Sequence, residues 1–236
     1  MRFAAAGFWV AITDINADTL QAVSGQIAAQ GGESLELCAD VSDWNACEEI
    51  SRQVLATWGR IDTLIANAGV QISGGLLAAN EDDWTRIIGV NLKGAAYSCK
   101  AVIPAMLEQD GGTIVLVSSV NALVGSPGMA IYDMSKAGVL ALMRSLAAEF
   151  GLRGIRVNAV CPGNTLTDFH INNMTKKGVT IEQIHALTKG YGLLGRIAEP
   201  VEIANAIYFL ASEQSSFITG HALVVDGGFS TTGRAK

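Results

Sequence analysis

Hydrophobic residues follow two alternating rhythms along the chain. Short aliphatic runs at Phe8–Thr13, Leu35–Ala39, Ile61–Ala66, Ile114–Val117, Ile155–Val160 and Ala222–Val225 read as strands. Continuous apolar runs of this length suit strands buried on both faces of a parallel sheet. Between them lie stretches with helical spacing. Leu20, Val23 and Ile27 share a face of a helix that Asn16 can cap and that reaches about Gln30. Cys47, Ile50, Val54 and Trp58 line a helix opened by Asp43. Asn80 caps a long helix running towards Leu107, a further helix spans about Ile131 to Phe150, and a short one covers about Ile181 to Thr188. Pro200 suits a first helical turn, with Val201, Ala204, Ile207, Tyr208 and Ala211 on its inner face.

Strand and helix alternate from end to end. The pattern predicts an α/β fold, a doubly wound parallel sheet of Rossmann-like type, in one domain over residues 1–236 without linker or repeat. Composition narrows the function classes. Only 16% of residues are charged and the formal net charge is −6, which disfavours nucleic acid or an anionic membrane as partner. No run reaches the roughly 18 apolar residues of a transmembrane helix. The opening Met1–Asp14 has one basic residue and an apolar run, but it lacks a small-residue cleavage site and leads straight into a polar helix; a cytoplasmic protein is expected. Cys38, Cys47, Cys99 and Cys161 show no Cys-x-x-Cys pairing, and His170, His185 and His221 show no ligand spacing, so reduced thiols and no metal are expected.

The candidate chemistry lies in Thr113–Lys136. Tyr132 and Lys136 sit four residues apart, one turn apart on one helix face. A free phenol with a pKa of about 10 is a poor base at neutral pH, and a nearby ammonium is expected to lower it. Ser119 stands at the carboxyl end of a buried strand, where open parallel sheets place ligands. A tuned phenol and a hydroxyl on one substrate oxygen suit carbonyl/alcohol interconversion.

Ser119 followed by Tyr132-x-x-x-Lys136 resembles the catalytic signature of the short-chain dehydrogenase/reductase family, and other motifs follow in the same order. Asp14, with Ile15, closes a strand where dinucleotide folds place an acid on the adenosine ribose; no Arg or Lys is adjacent to receive a 2′-phosphate, which favours NAD over NADP. Asp40-Val41 resembles the family pair beside the adenine, and Asn67-Ala68-Gly69 the family turn against the cofactor. Asn91 resembles the fourth catalytic residue, whose backbone carbonyl holds a water that relays protons to the lysine. Pro162-Gly163-x-x-x-Thr167 resembles the segment that holds the nicotinamide carboxamide; Thr165 stands where the family usually carries Ile or Val. Asp226-Gly227-Gly228 resembles the family terminus, which often packs in a homotetramer. The resemblance implies an NAD-dependent oxidoreductase acting on a secondary alcohol or ketone, in a homo-oligomer, tetramer or dimer.

One departure stands out. The family opens with a strand and the turn Thr-Gly-x-x-x-Gly-x-Gly, which cradles the pyrophosphate and supplies the central strand. Here Arg2–Gly7 resembles the tail of the following helix, and Phe8 opens the second strand. An N-terminally incomplete domain is therefore expected, with a non-catalytic structural or regulatory chain as the alternative to the enzyme. The segment Asn164–Ala198, with Phe169, His170, Ile171, Met174, Tyr191 and Leu193, is expected to cover the substrate.

Overall fold

The computed structural model describes residues 1–72, 74–167, 171, 174, 178–187 and 189–232. Its strands are β1 (Val10–Asp14), β2 (Ser34–Cys38), β3 (Thr63–Ala66), β4 (Gly112–Val117), β5 (Ile155–Pro162) and β6 (Ala222–Val225). Its helices are α1 (Ala17–Ala29), α2 (Trp44–Trp58), α3 (Glu81–Ile87), α4 (Ala95–Glu108), α5 (Ala130–Phe150), α6 (Ile181–Leu187), α7 (Pro200–Ala211) and α8 (Phe229–Thr232).

All strand pairs are parallel. Side chains of β4 and β5 alternate between two cores. Ile114, Leu116, Val157 and Ala159 face the α4–α5 side with Cys99, Val102, Val139 and Met143, whereas Val115 and Val160 face α7 through Ile203, Ile207 and Leu210. Helices on both faces of a parallel sheet make a doubly wound, Rossmann-like single domain, as the alternation predicts.

The sheet is in two parts. β1 pairs with β2, and β3-β4-β5-β6 form a separate four-stranded unit. In a parallel ladder alternate residues bond to one side. Val10 N–H donates to Glu33 O, and Asp14 O accepts from Ala39 N–H, so Ala11 and Thr13 turn their backbone groups away from β2. Thr113 N–H donates to Asp62 O, so Thr63 and Ile65 turn theirs away from β4. Among the described residues no strand pairs with these free edges.

The N-terminal segment links the two parts by side chains. Residues Ala4–Ala6 form a single 3-10 turn that Gly7 ends at φ 85°. Ala4 is buried beside Gly32, and Phe3 packs edge-on against Phe8 and Tyr208 of α7, at 5.5 and 5.3 Å between ring centroids. The Arg2 guanidinium lies 3.9 Å from the Tyr208 ring centroid. β1 accordingly begins at Val10 rather than at Phe8, because Phe8 joins this cluster and Trp9 packs on Trp58.

The expected long helix after Asn80 is also divided. A π-helical turn, Ile88–Gly94, separates α3 from α4. It passes so close to the segment after β2 that a Cβ on Gly94 would lie 2.7 Å from Val41 Cγ2 and 3.2 Å from Val41 O.

Candidate active site

The candidate residues gather at the carboxyl ends of the strands. Ser118 and Ser119 follow β4 directly. The Ser118 hydroxyl donates to Lys136 O at 2.8 Å and fastens the strand end to α5. Ser119, extended at φ −163° and 8% exposed, has its hydroxyl oxygen accepting from Asn121 N–H at 3.2 Å and stands close enough to the Tyr132 phenol to lower its pKa.

Tyr132 and Lys136 lie on successive turns of α5, as their spacing requires. Lys136 is 4% exposed, and its ammonium donates to Val117 O at 2.9 Å, with Nζ 5.8 Å from the Tyr132 ring centroid. Burial pulls the lysine pKa down to about 8, against a small opposing effect of Cys161. Burial raises the Tyr132 pKa above its ordinary value, the Ser119 hydroxyl lowers it and the Asp133 charge raises it. This corrects the expectation that Lys136 lowers the phenol pKa. The ammonium is drawn onto a strand carbonyl, and desolvation of the ring edge dominates.

Asn91 is 1% exposed, not the mildly unfavourable surface residue that a lone helical Asn suggests. The π turn points it inward. Its Oδ1 accepts from Val70 N–H at 2.7 Å, and its Nδ2 donates to Val70 O and Ser135 Oγ, both at 3.0 Å. Ser135 passes the link on to Tyr132 O at 2.7 Å. Extra-residue turns of this kind recur at functional sites. Gly69 closes the group: a Cβ there would come within 3.4 Å of both Asn91 Oδ1 and Lys136 Nζ. Asn67, Ala68 and Gly69 are exposed at the lip.

Asp14 is exposed at the end of β1, and its carboxylate accepts Asn16 N–H at 2.9 Å; Asn16 in turn caps α1. Ile15 is 71% exposed. Asp40 accepts Ser42 N–H at 2.8 Å, and Val41 packs against Gly94. At the end of β5, Pro162 and Gly163 rest on the last strand's turn, so closely that a Cβ on Gly163 would lie 2.8 Å from Asp226 Cα. Asp226 holds that turn by accepting Gly228 N–H and Ser230 N–H. Thr165 donates its hydroxyl to Gly163 O at 3.1 Å and bridges to Ala198. Thr167 N–H donates to Thr165 O at 2.9 Å. Tyr191 stacks on Phe229 with ring centroids 4.8 Å apart. Phe169 and His170 lie outside the described residues.

A nicotinamide dinucleotide fits this arrangement at its two ends. Lys136 is a buried donor beside the room left by Gly69, and Asp14 is an exposed carboxylate at a strand end. Among the described residues no glycine-rich turn stands between β1 and β3 to hold a pyrophosphate. A small open cleft of about 130 Å³ adjoins the first turn of α5, walled by Ile72, Ala78, Ile87, Met129 and Ile131 with Asp83 at its side. Sequence reading missed the supporting groups Ser118, Asn121, Asp133 and Ser135. Their signal is confined to polar residues inside or beside the Ser119 to Lys136 stretch, and spacing alone assigns them no partners.

Comparison with known proteins agrees. The enoyl-(acyl carrier protein) reductase family model matches residues 1–230. The chain is 38% identical over 228 residues to the 3-oxoacyl-[acyl-carrier-protein] reductase FabG of Thermotoga maritima, covering 97% of this chain and 90% of that protein. It is 37% identical to the meso-2,3-butanediol dehydrogenase of Serratia marcescens, covering 96% and 86%. Among solved structures, a short-chain dehydrogenase/reductase from Burkholderia xenovorans superposes with a TM-score of 0.92 at 31% identity, covering 98% and 88%. A 7α-hydroxysteroid dehydrogenase complexed with NADH gives 0.86 at 30% identity, covering 95% and 86%. The chain belongs to the short-chain dehydrogenase/reductase family and is an oxidoreductase of the kind that uses a nicotinamide cofactor. Similar structures carry NAD or NADP. Among the described residues no helix is long and apolar enough to cross a membrane, and no cluster of potential metal ligands occurs.

Proposed function

We propose that the chain interconverts a secondary alcohol and a ketone with NAD(H). The observation that carries this reading is the joint placement of Ser119, Tyr132 and the buried Lys136 at one strand end. The bound nicotinamide supplies or accepts the hydride. In ketone reduction Tyr132, kept protonated by its raised pKa, donates the phenolic proton to the substrate oxygen while Ser119 orients that oxygen. Lys136, poised near neutrality at about 8, replenishes the proton and holds the nicotinamide ribose. The Asn91 backbone carbonyl holds the water that feeds Lys136. Pro162, Gly163, Thr165 and Thr167 hold the carboxamide, Asn67, Ala68 and Gly69 line the cofactor, and Asp40 and Val41 flank the adenine. Asp14 and Ile15 hold the adenosine ribose, and the Asp14 carboxylate disfavours a 2′-phosphate, which supports NAD over NADP. The cleft beside α5, where Ile72, Ile87, Met129 and Ile131 stand beside Asp83, suits a substrate with both an apolar and a polar flank. A cytoplasmic homo-oligomer, tetramer or dimer, completes the reading.

The test is a titration with NADH and NADPH followed by nicotinamide fluorescence, with turnover on a panel of small ketones and secondary alcohols. Micromolar NADH binding with turnover of at least one panel member is the expected result. Absence of binding up to millimolar concentration overturns the proposal and leaves a structural or regulatory subunit, which the unpaired edges of β1 and β3 favour.

A further inference from the structure

The ten residues after Ser119 lead the chain from the end of β4 to the start of α5. One carboxylate ties this passage to the helix. Asp133 Oδ1 accepts from Asn121 Nδ2 at 2.8 Å, and its Oδ2 accepts from Ser126 N–H at 3.0 Å. Its own N–H donates to Met129 O at 2.8 Å. Asn121 in turn directs its backbone N–H onto Ser119 Oγ at 3.2 Å. Asp133 follows Tyr132 in the chain, and the Tyr132 phenol faces the Ser119 hydroxyl, which lowers its pKa. These contacts close a ring: Ser119 to Asn121, Asn121 to Asp133, Asp133 to Tyr132, Tyr132 back to Ser119.

The ring has a consequence for the hydroxyl. A serine oxygen offers one donor and two lone pairs. The Asn121 N–H occupies one lone pair and leaves the O–H for the Tyr132 side. Opening the ring frees both the rotor of Ser119 and its distance from Tyr132, since one lies in the loop after β4 and the other on α5. We propose that Asp133 is a positioning residue: through Asn121 it fixes where the Ser119 hydroxyl stands relative to the Tyr132 phenol. The proposal rests on Ser119 and Tyr132 as the substrate-facing pair.

The variants are Asp133→Ala, Asn121→Ala and Asp133→Asn. The alanine changes cut the ring. The asparagine change preserves it, because an Asn121 amide turned over accepts from the new Nδ2 while the new Oδ1 keeps Ser126 N–H. With the panel ketone that turns over fastest, Asp133→Ala and Asn121→Ala are expected to lower kcat by about 10- to 100-fold, the scale of a displaced reacting group. KM for NADH stays unchanged, and Asp133→Asn retains kcat within about threefold. In a Ser119→Ala background Asp133→Ala is expected to cost nothing further. Equal losses with and without Ser119, or a wild-type kcat in Asp133→Ala, overturn the proposal.

A second measurement needs no turnover and separates this proposal from the choice of reaction. The phenol of Tyr132 is titrated by NMR with labelled tyrosine. The groups facing it are Ser119 from the β4 end, and Asp133 and Lys136 from its own helix. Both Asp133 variants remove the same negative charge, but only alanine releases Ser119, whose hydroxyl lowers the phenol pKa. Tyr132 should therefore titrate at higher pH in Asp133→Ala than in Asp133→Asn. Identical titrations overturn the proposal, whether or not any ketone is reduced.

Discussion

Replacing Lys136 by methionine should stabilise the fold while removing activity. The side chain is 4% exposed, and burial brings its pKa from 10.5 to about 8. At about 1.4 kcal/mol per pKa unit, the folded state disfavours the charged amine by about 3 kcal/mol at pH 7. Methionine keeps an unbranched chain of similar length and carries no charge. It leaves Val117 O without the 2.9 Å donor, a loss of about 1 kcal/mol. The net gain is about 2 kcal/mol, or roughly 4–8 °C in Tm for a domain of this size. The pH dependence has a defined sign. Unfolded, the amine holds its proton to about 10.5; folded, it releases it near 8. Between those values the unfolded chain binds more protons, so wild-type stability rises with pH and the advantage of Lys136→Met shrinks. Below pH 8 the advantage is complete. Thermal melts of both proteins at intervals from pH 6 to 10.5 give the comparison. A variant that melts no higher than wild type below pH 8, or an advantage that does not shrink above it, refutes the reasoning.

Three other outcomes follow from the same geometry. Tyr132→Phe should lower kcat at least about 100-fold with Tm and NADH affinity near wild type, since only the phenol oxygen is lost; more than a few per cent residual rate in an active preparation rules out Tyr132 as the proton donor. Asp14→Ala should shift relative kcat/KM towards NADPH, and an unchanged ratio would leave Asp14 only as the acceptor for Asn16 N–H. Fusing a valine-rich strand, glycine turn and half helix ahead of Met1 should raise both Tm and NADH affinity. The free backbone groups of Ala11, Thr13, Thr63 and Ile65 offer hydrogen bonds of about 1 kcal/mol each. A helix N-terminus adds up to ~2 kcal/mol for a pyrophosphate, about 30-fold in affinity. Equal melting and binding with and without the fusion would show that these edges need no partner.

Local spacing alone was enough to order the strands and helices and to set Tyr132 above Lys136, because strand and helix periods act within a few residues. It also placed Ser119 and Asp14 at strand ends, where a buried run stops and polar residues begin. The tertiary structure decided what those residues experience. Lys136 titrates near 8 because β4 and α5 enclose it, and its ammonium meets Val117 O rather than the phenol. Asn91 turns inward because a π turn is squeezed against Val41, a residue 50 positions earlier in the chain, with Gly94 permitting the approach. Asp133 reads in the sequence as one more acid on a helix, and becomes a link between β4 and α5 only once Asn121 and Ser126 fold back onto it. The division of the sheet depends on which strand edges find partners, a property of the assembled layers. Desolvation, close approach and edge pairing all join residues far apart in sequence, so hydrophobic periodicity carries no record of them.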